Sequence, residues 1–440
     1  MIIDSVEELD SLFEYMQNQK CLVVPILSDA NTPAAHSKMA CIYVYTENHV
    51  ERIVPFYHTE QIRGFAEHIP RFLQLNEIFI HDKKIWIQLG GNNQVYDVKT
   101  MWWHTYHEAY DETHYYTTAH NYYWRRHTNL QHVNSIIPIM QHLAMCQKIR
   151  QYAWPMIQNA KLSESYLTFN SLYPKTFAQI ESAGLQVNQQ FAAQNLIHDG
   201  RVYSQYNYHT STGRPSNARG GFNFAAMNKE DGTRSAFCSR FESGALVEMD
   251  FDSYHVRLIA KLIGYELPLT SVHDYLGRFY FDTAELSADQ REQSKSITFR
   301  LLYGGIDREF LSIPFFRNVN NFVNDIWTQW KSKKRIHTAI DKRVISQEQF
   351  PDMNRFKLFN YYLQSLETEF SVRKLAQITE LLQDYTTCLI LYTYDSVLFD
   401  VNMSEAKQII PAIRDILQHG KFPVKCKVGD IYSKMTEFTL

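Results

Sequence analysis

Residues Gly244–Glu266 read GALVEMDFDSYHVRLIAKLIGYE, and their periodicity changes halfway along. Ala245–Met249 is a short apolar run that Asp250 ends. Beyond it Val256, Ile259, Leu262 and Ile263 recur at the spacing of one buried helix face. The stretch therefore reads strand, carboxylate, helix, with Asp252 or Ser253 at the N-cap position. A chain built on such a stretch holds an acid rigidly at the rim of a sheet, where a hard cation can reach it. The plainer reading of the same residues is that Asp250 and Asp252 only cap the helix.

At 440 residues the chain is too long for one ordinary domain, and two or three are expected. Hydrophobic residues at 45% and charged ones at 21% are a globular balance, which excludes a disordered or fibrous chain. No apolar run approaches the ~20 residues of a membrane helix. The opening MIIDSVEELD has early acids and no basic leader, so no secretory signal is expected. Cys21, Cys41, Cys146, Cys238, Cys388 and Cys426 are scattered without a CxxC pair, which suits reduced thiols in the cytoplasm and argues against a structural zinc site. The net charge of −3 does not announce a nucleic-acid binder, so any basic groove must be local.

Ser5-Val6-Glu7-Glu8 is a capping-box pattern opening a helix whose Leu9, Leu12, Phe13 and Met16 face inward. Strand-like runs follow at Cys21–Leu27, Met39–Thr46 and Arg52–Tyr57, then a helical stretch Glu60–Leu75 interrupted by Pro70, then a strand near Glu77–His81. That β-β-β-α-β order predicts a mixed sheet with flanking helices. His104, His107, His114 and His120 lie in an aromatic-rich region without a compact HxH or HExxH arrangement, and read as packed or surface histidines rather than ligands. Helical patterns cover Val133–Gln158 and Leu162–Gly184, Asp199-Gly200 marks a turn, and Val202, Ser204, Tyr206 and Tyr208 alternate like a strand.

Two further constellations carry chemistry. In REQSKSITFRLLYGG, residues 291–305, Arg291, Lys295, Phe299 and Tyr303 are spaced by four and drift slowly around one helix face over about 18 Å. Cations near the positive end of a helix make an anion site, and the aromatics offer a surface on which a base can stack. A nucleoside triphosphate has that same polarity, although solvated cations and buried aromatics would give the same letters. In TTCLILYTYDSVLFDV, residues 386–401, two apolar runs flank Tyr394-Asp395-Ser396, a β-hairpin with an acid at its tip. A turn aspartate alone is usually just a turn residue. Together, Asp250 and Asp395 could share two metal ions that clamp the oxygens of phosphoryl transfer, while the basic-aromatic helix delivers a triphosphate.

With these residues in view, the chain resembles a family A DNA polymerase. The family's DYSxxELR motif appears as Asp250–Arg257, RxxxKxxxFxxxYG as Arg291, Lys295, Phe299, Tyr303 and Gly304, and HDE as Tyr394-Asp395-Ser396. Its TGR segment is Thr212-Gly213-Arg214, and its QG-containing helix is similar to Asn360–Glu367. The TGRPSN and GGFNFAA wording is most similar to bacteriophage members. The resemblance implies an α/β (α+β) fold: an RNase H-like exonuclease-type domain (1–145), a helical connector or reduced thumb (146–200), and a palm (201–440) with fingers inserted at about 264–350.

It also implies roles. Asp250 and Asp395, helped by the Phe251 carbonyl, would hold two Mg²⁺ ions, for which Mn²⁺ can substitute. Arg291 and Lys295 would hold the phosphates of a dNTP, with Lys295 also catalytic, and Phe299 and Tyr303 would meet base and sugar. Arg214, Asn223, Asn360, Gln364, Tyr394 and Arg257 would face primer–template DNA. His255 stands where the family has a Glu that screens out the ribose 2′-OH, which leaves sugar discrimination open; Ser396 and Tyr394 replace the third motif's Glu and His. In the first domain Pro25, Leu27 and Trp86 occupy positions of exonuclease acids, so a retained scaffold without proofreading is expected. Only Asn188–Gly200, thirteen residues, stands where the family has a long helical thumb, so either the thumb is missing or reduced and a second protein is needed for long synthesis, or helices within Val133–Leu172 fold back and serve as one. The rival readings are a single-subunit RNA polymerase-like enzyme, whose third motif is HDS-like, and a catalytically inactive DNA-binding scaffold.

Overall fold

The computed structural model describes residues 2–27, 33–47, 51–56, 64–106, 136–160, 162–188, 191, 193–217, 222–227 and 232–438. His107, His114 and His120, Tyr57 and the start of the helix expected from Val133 lie outside the described residues. The chain divides into two compact units, Met1–Ala183 and Gly184–Leu440.

The first unit runs α1 (Val6–Asn18), β1 (Cys21–Leu27), β2 (Met39–Thr46), β3 (Glu51–Pro55), α2 (Ile69–Leu73), β4 (Phe79–Ile80), α3 (Lys83–Gln88), β5 (Tyr96–Asp97), α4 (Val98–Tyr106), α5 (Ile136–Gln158) and α6 (Glu164–Ala183). Its sheet has the order β3-β2-β1-β4-β5, with β1, β2 and β3 antiparallel and β4 and β5 parallel to β1. Period-two alternation divides β1 between two cores: Cys21 and Val23 join Leu9, Phe13, Phe72 and Trp86 on one face, Leu22, Val24 and Ile26 join Tyr43, Trp102 and Trp154 on the other.

The expected capping box is half made. Ser5 caps α1 by accepting from the Glu8 N–H at 3.2 Å, but the Glu8 carboxylate takes the Asp4 N–H rather than that of Ser5. Pro70 does not interrupt a helix: it sits in the first turn of α2, where its missing N–H costs nothing, and the described helix begins only at Ile69. Helices α5 and α6 are used to cover this unit. Ile149, Ala153, Trp154 and Ile157 of α5 pack in the second core, and α6 is tied to α3 by Lys83 Nζ donating to the Asn170 carbonyl at 2.7 Å and by the Lys84–Glu181 pair at 2.6 Å.

The second unit contains β6 (Leu185–Gln186), β7 (Arg201–Val202), β8 (Tyr206–Asn207), β9 (Ser216–Asn217), β10 (Gly244–Phe251), α7 (Tyr254–Leu262), α8 (Val272–Phe281), α9 (Ala288–Gly304), α10 (Pro314–Lys333), β11 (Arg335–His337), β12 (Val344–Ser346), α11 (Arg355–Leu381), β13 (Cys388–Thr393), β14 (Ser396–Asn402), α12 (Ala406–Gln418), β15 (Val424–Gly429) and β16 (Thr436–Phe438). An antiparallel sheet of order β13-β14-β10-β15-β16 is its centre. The strand expected through Val202–Tyr208 is broken into the short β7 and β8, yet all four alternating side chains are buried. Between β6 and β7 the described residues hold one 3-10 turn, Gln194–Leu196.

Candidate active site

The rim of the second unit's sheet is where the carboxylates gather. Asp250 lies near the end of β10, opposite Ser396 of β14 on one side and Lys425 of β15 on the other. Asp395 is one residue before Ser396, in the two-residue turn that joins β13 to β14, and its carbonyl accepts from the Phe251 N–H at 2.9 Å. The strand end and the hairpin tip are thus stitched together. Tyr394, the other turn residue, has φ +62°, a left-handed backbone that bulky side chains rarely adopt. The Arg214 guanidinium lies 3.7 Å from the centre of its ring, a cation–π contact that covers the turn. Burial pushes the Asp395 carboxyl up, and the negative Glu367 adds to this against Arg214 and His255. An anionic corner of hard oxygen donors that resists its own charge is a fitting place for Mg²⁺.

Neither acid of the first motif caps α7. Ser253 is the N-cap, with φ +53° and no side-chain cap bond. Asp252 instead meets Lys425 Nζ at 2.9 Å and Arg257 Nη2 at 3.3 Å. Burial would raise its carboxyl, but these two cations hold it below the ordinary carboxylate range. Arg257 is 5% exposed, and its donors go to the Asp252, Pro268 and Thr270 carbonyls at 2.8–2.9 Å. A guanidinium committed in this way is a brace for the turn after β10, not a group that faces DNA.

Helix α9 carries the second constellation. A full capping box, Ser287 with Gln290, begins it, and Gly305 at φ +107° follows its last residue. A Cβ at Gly305 would meet the Phe356 ring at 2.5 Å, so the stop is steric as well as conformational. Arg291 is exposed and pairs with Asp274 of α8 at 2.8 Å, and Lys295 is exposed on the same side of the helix. Phe299 and Tyr303 stack with centroids 6.0 Å apart and planes within 6°. Their half-buried rings are the flat surface that the spacing predicts.

Helix α11 lines the site with Asn360, Gln364, Glu367 and Ser371, three or four residues apart on one face. Gln364 Oε1 accepts from Thr212 Oγ1 at 3.2 Å, and Ser365 Oγ donates to the Thr212 carbonyl at 3.0 Å, which seats the Thr212–Arg214 loop on this helix. Ser371 Oγ is 2.9 Å from the Tyr254 hydroxyl. The Asn360 side-chain oxygen is buried and has no hydrogen-bond partner among the described residues. Asn223 stands apart, exposed, capping the 3-10 turn Phe224–Ala226, and no described hydrogen bond joins it to the cluster.

Sequence reasoning missed Glu367. It is 1% exposed, with Oε2 3.1 Å from His255 Nε2 and 2.8 Å from Arg214 Nε. His255 Nδ1 in turn meets the Tyr303 hydroxyl. In the first unit it also missed Asp82 and Asp97. Asp82 caps α3 and pairs with Lys99 at 2.8 Å, while Asp97 accepts from Thr100 at 2.9 Å. Pro25 is half-buried in β1, and Trp86 is fully buried in α3.

No family model and no curated protein matches this sequence. Among solved structures, the chain is similar to the POL domain of Pol1 from M. smegmatis, in a complex with DNA primer-template and dNTP. The TM-score is 0.71 at 12% identity, over 99% of this chain and 100% of that one. The fold is therefore that of a family A polymerase domain, a mixed α/β architecture. No helix among the described residues is long and apolar enough to cross a membrane.

Proposed function

We propose that the chain is a template-directed DNA polymerase, extending a primer 3′ end with dNTPs by two-metal-ion phosphoryl transfer. The observation that carries this reading is the union of the two candidate metal carboxylates. Asp250 and Asp395 come from distant parts of the sequence, yet adjacent register positions and the Phe251–Asp395 hydrogen bond bring them to one rim. The similar Pol1 domain was solved with primer-template and dNTP, which supports the same classes of partner here.

In this reading Asp250, Asp395 and the Phe251 carbonyl hold Mg²⁺, or Mn²⁺ in its place. Held there, the metal would supply activation of the primer hydroxyl and neutralisation of charge on the phosphates. The chain's own residues do the positioning. Arg291 and Lys295 draw the triphosphate to the start of α9, and Lys295 stabilises charge on the leaving group. Phe299 and Tyr303 stack under the incoming base, with His255 beside the sugar. Arg214, Tyr394, Gln364 and Asn360 line the side where the new base pair and template strand lie, and Asn223 touches the template–primer from outside the cluster.

Residues 1–145 act as a scaffold without proofreading, 146–200 as a connector in place of a thumb, and 201–440 as palm with fingers at about 264–350. This suits a phage replication enzyme in its host's cytoplasm that works with an accessory protein. The test is primer–template extension with Mg²⁺ and either dNTPs or NTPs. Extension confined to dNTPs is expected. Preference for NTPs would favour the RNA polymerase-like reading, and no extension with retained DNA binding would favour an inactive scaffold.

A further inference from the structure

Glu367 is a buried charge for which the proposed chemistry has no direct use. A carboxylate taken out of water is costly unless it is paired. Its Oε2 receives His255 Nε2 at 3.1 Å and Arg214 Nε at 2.8 Å, and Arg214 Nη2 donates to its Oε1 at 3.3 Å. Both contacts to Oε2 are within ion-pair distance. Burial works to raise the carboxyl, but His255 and Arg214 hold it below its ordinary range, and it is ionised at neutral pH.

The partners come from four separate elements. Glu367 is on α11, His255 on α7, Tyr303 on α9, and Arg214 in the loop between β8 and β9. Arg214 also covers Tyr394, in the turn that presents Asp395. The chemistry of the pair fixes one end of the ring. An ionised carboxylate only accepts, so the Nε2 that faces it carries hydrogen. The Nδ1 at the other side of the same ring meets the Tyr303 hydroxyl, so the carboxylate and the hydroxyl hold the imidazole between them. Burial pushes the Tyr303 phenol up to about 12, so its hydroxyl is un-ionised at neutral pH. His255 and Tyr303 thus stand together as one wall beside the stacked Phe299.

We infer that Glu367 is a positioning residue for sugar selection: its carboxylate locks His255 against Tyr303 and Arg214 over Tyr394, so that removing it loosens the wall that tells deoxyribose from ribose. The inference rests on the polymerase reading and adds a residue to it. What changes without Glu367 is the width and polarity of the pocket where a 2′-hydroxyl would sit.

The test is single-nucleotide insertion kinetics on a primer–template with a dNTP and the matching rNTP, for the wild type, Glu367→Gln, Glu367→Asp, His255→Gln and the double variant His255→Gln/Glu367→Gln. Thermal unfolding is run in parallel. Loss of a charge-assisted contact predicts that Glu367→Gln raises KM for the dNTP about tenfold or more, with a much smaller change in kcat. Selectivity for dNTP over rNTP falls by a similar factor. Glu367→Asp, which keeps the charge, recovers part of both. The double variant is no worse than His255→Gln alone, because the two residues act as one unit. If Glu367→Gln does not fold, His255→Gln decides: sugar selectivity equal to that of the wild type in His255→Gln overturns the inference, because the residue that Glu367 holds would then have no part in it. Equal losses for dNTP and rNTP in step with a fall in Tm would also overturn it, reducing Glu367 to a fold residue. A wild type that inserts neither nucleotide refutes the polymerase reading itself, an outcome distinct from these.

Discussion

Phe299 sets a chemical limit on the proposed nucleotide face of α9. Its ring stacks on Tyr303, but it has no hydroxyl with which to replace a contact that a missing 3′-OH would make. Chain-terminating dideoxynucleotides are therefore expected to be poor substrates, and Phe299→Tyr is expected to raise their uptake by roughly one to two orders of magnitude, about the worth of a buried hydrogen bond to a charged or activated group. The measurement is the ratio of ddNTP to dNTP insertion in wild type and variant. Equal ratios would mean that α9 does not face the sugar. At the same scale, Asp252 and Arg257 illustrate residues whose identity in a motif says little about their task. The letters place them beside Asp250, but the contacts with Lys425, Pro268 and Thr270 make them struts for the turn that aims Asp250.

At the scale of elements, the hairpin that bears Asp395 is secured from its open end as well as its tip. Glu405, the residue before α12, accepts from the N–H and hydroxyl of Thr386 at 2.9 and 2.8 Å and from those of Thr387 at 2.9 and 2.7 Å. Burial tends to raise the Glu405 carboxyl, but these bonds pull it down from 4.5 to about 2. A carboxyl depressed on folding contributes stability that is fully present above its unfolded value and lost as pH falls through the folded one. The Tm advantage of wild type over Glu405→Gln should therefore narrow as pH drops from about 4.5 towards 2. A gap independent of pH across that window would contradict this account of the hairpin's anchor.

Local elements are the legible part of the chain. The burial of Leu9, Leu12, Phe13 and Met16 on α1, and the hairpin around Asp395, follow from patterns within a dozen or so residues. The capping box of Ser287 and Gln290 is equally local, since an S-x-x-Q spacing is its whole signal. Glu367 is not legible in the same sense. Its partners Arg214 and His255 are distant in sequence, and a Glu amid the buried face of a helix has no periodic signature. Pro70 misleads because the same residue either breaks a helix or begins one, and only the fold decides which.

On the scale of the whole molecule, α5 and α6, the long helices nearest the expected thumb in sequence, are committed to the core of the first unit. In the second unit the thirteen residues Asn188–Gly200 separate Val187, just beyond β6, from Arg201 at the start of β7. Among the described residues they form nothing longer than a three-residue turn. Thumb-like phosphate contacts supply most sequence-independent affinity for duplex DNA and its salt dependence. The protein alone is therefore expected to bind primer–template weakly and to add few nucleotides per encounter. Single-hit extension with a DNA trap at physiological salt checks this, and long products from the protein alone would refute it.

The central claim is that Asp250 and Asp395 together make this fold a catalyst. The most direct measurement is single-turnover primer extension with Mg²⁺ by Asp250→Ala and Asp395→Ala, alongside their affinity for primer–template DNA and their Tm. Removing either carboxylate takes away transition-state charge stabilisation commonly worth several kcal/mol. Each variant is predicted to lose at least about a thousandfold in rate while DNA binding and folding stay close to wild type. Extension by either variant within a few-fold of the wild-type rate would contradict the assignment.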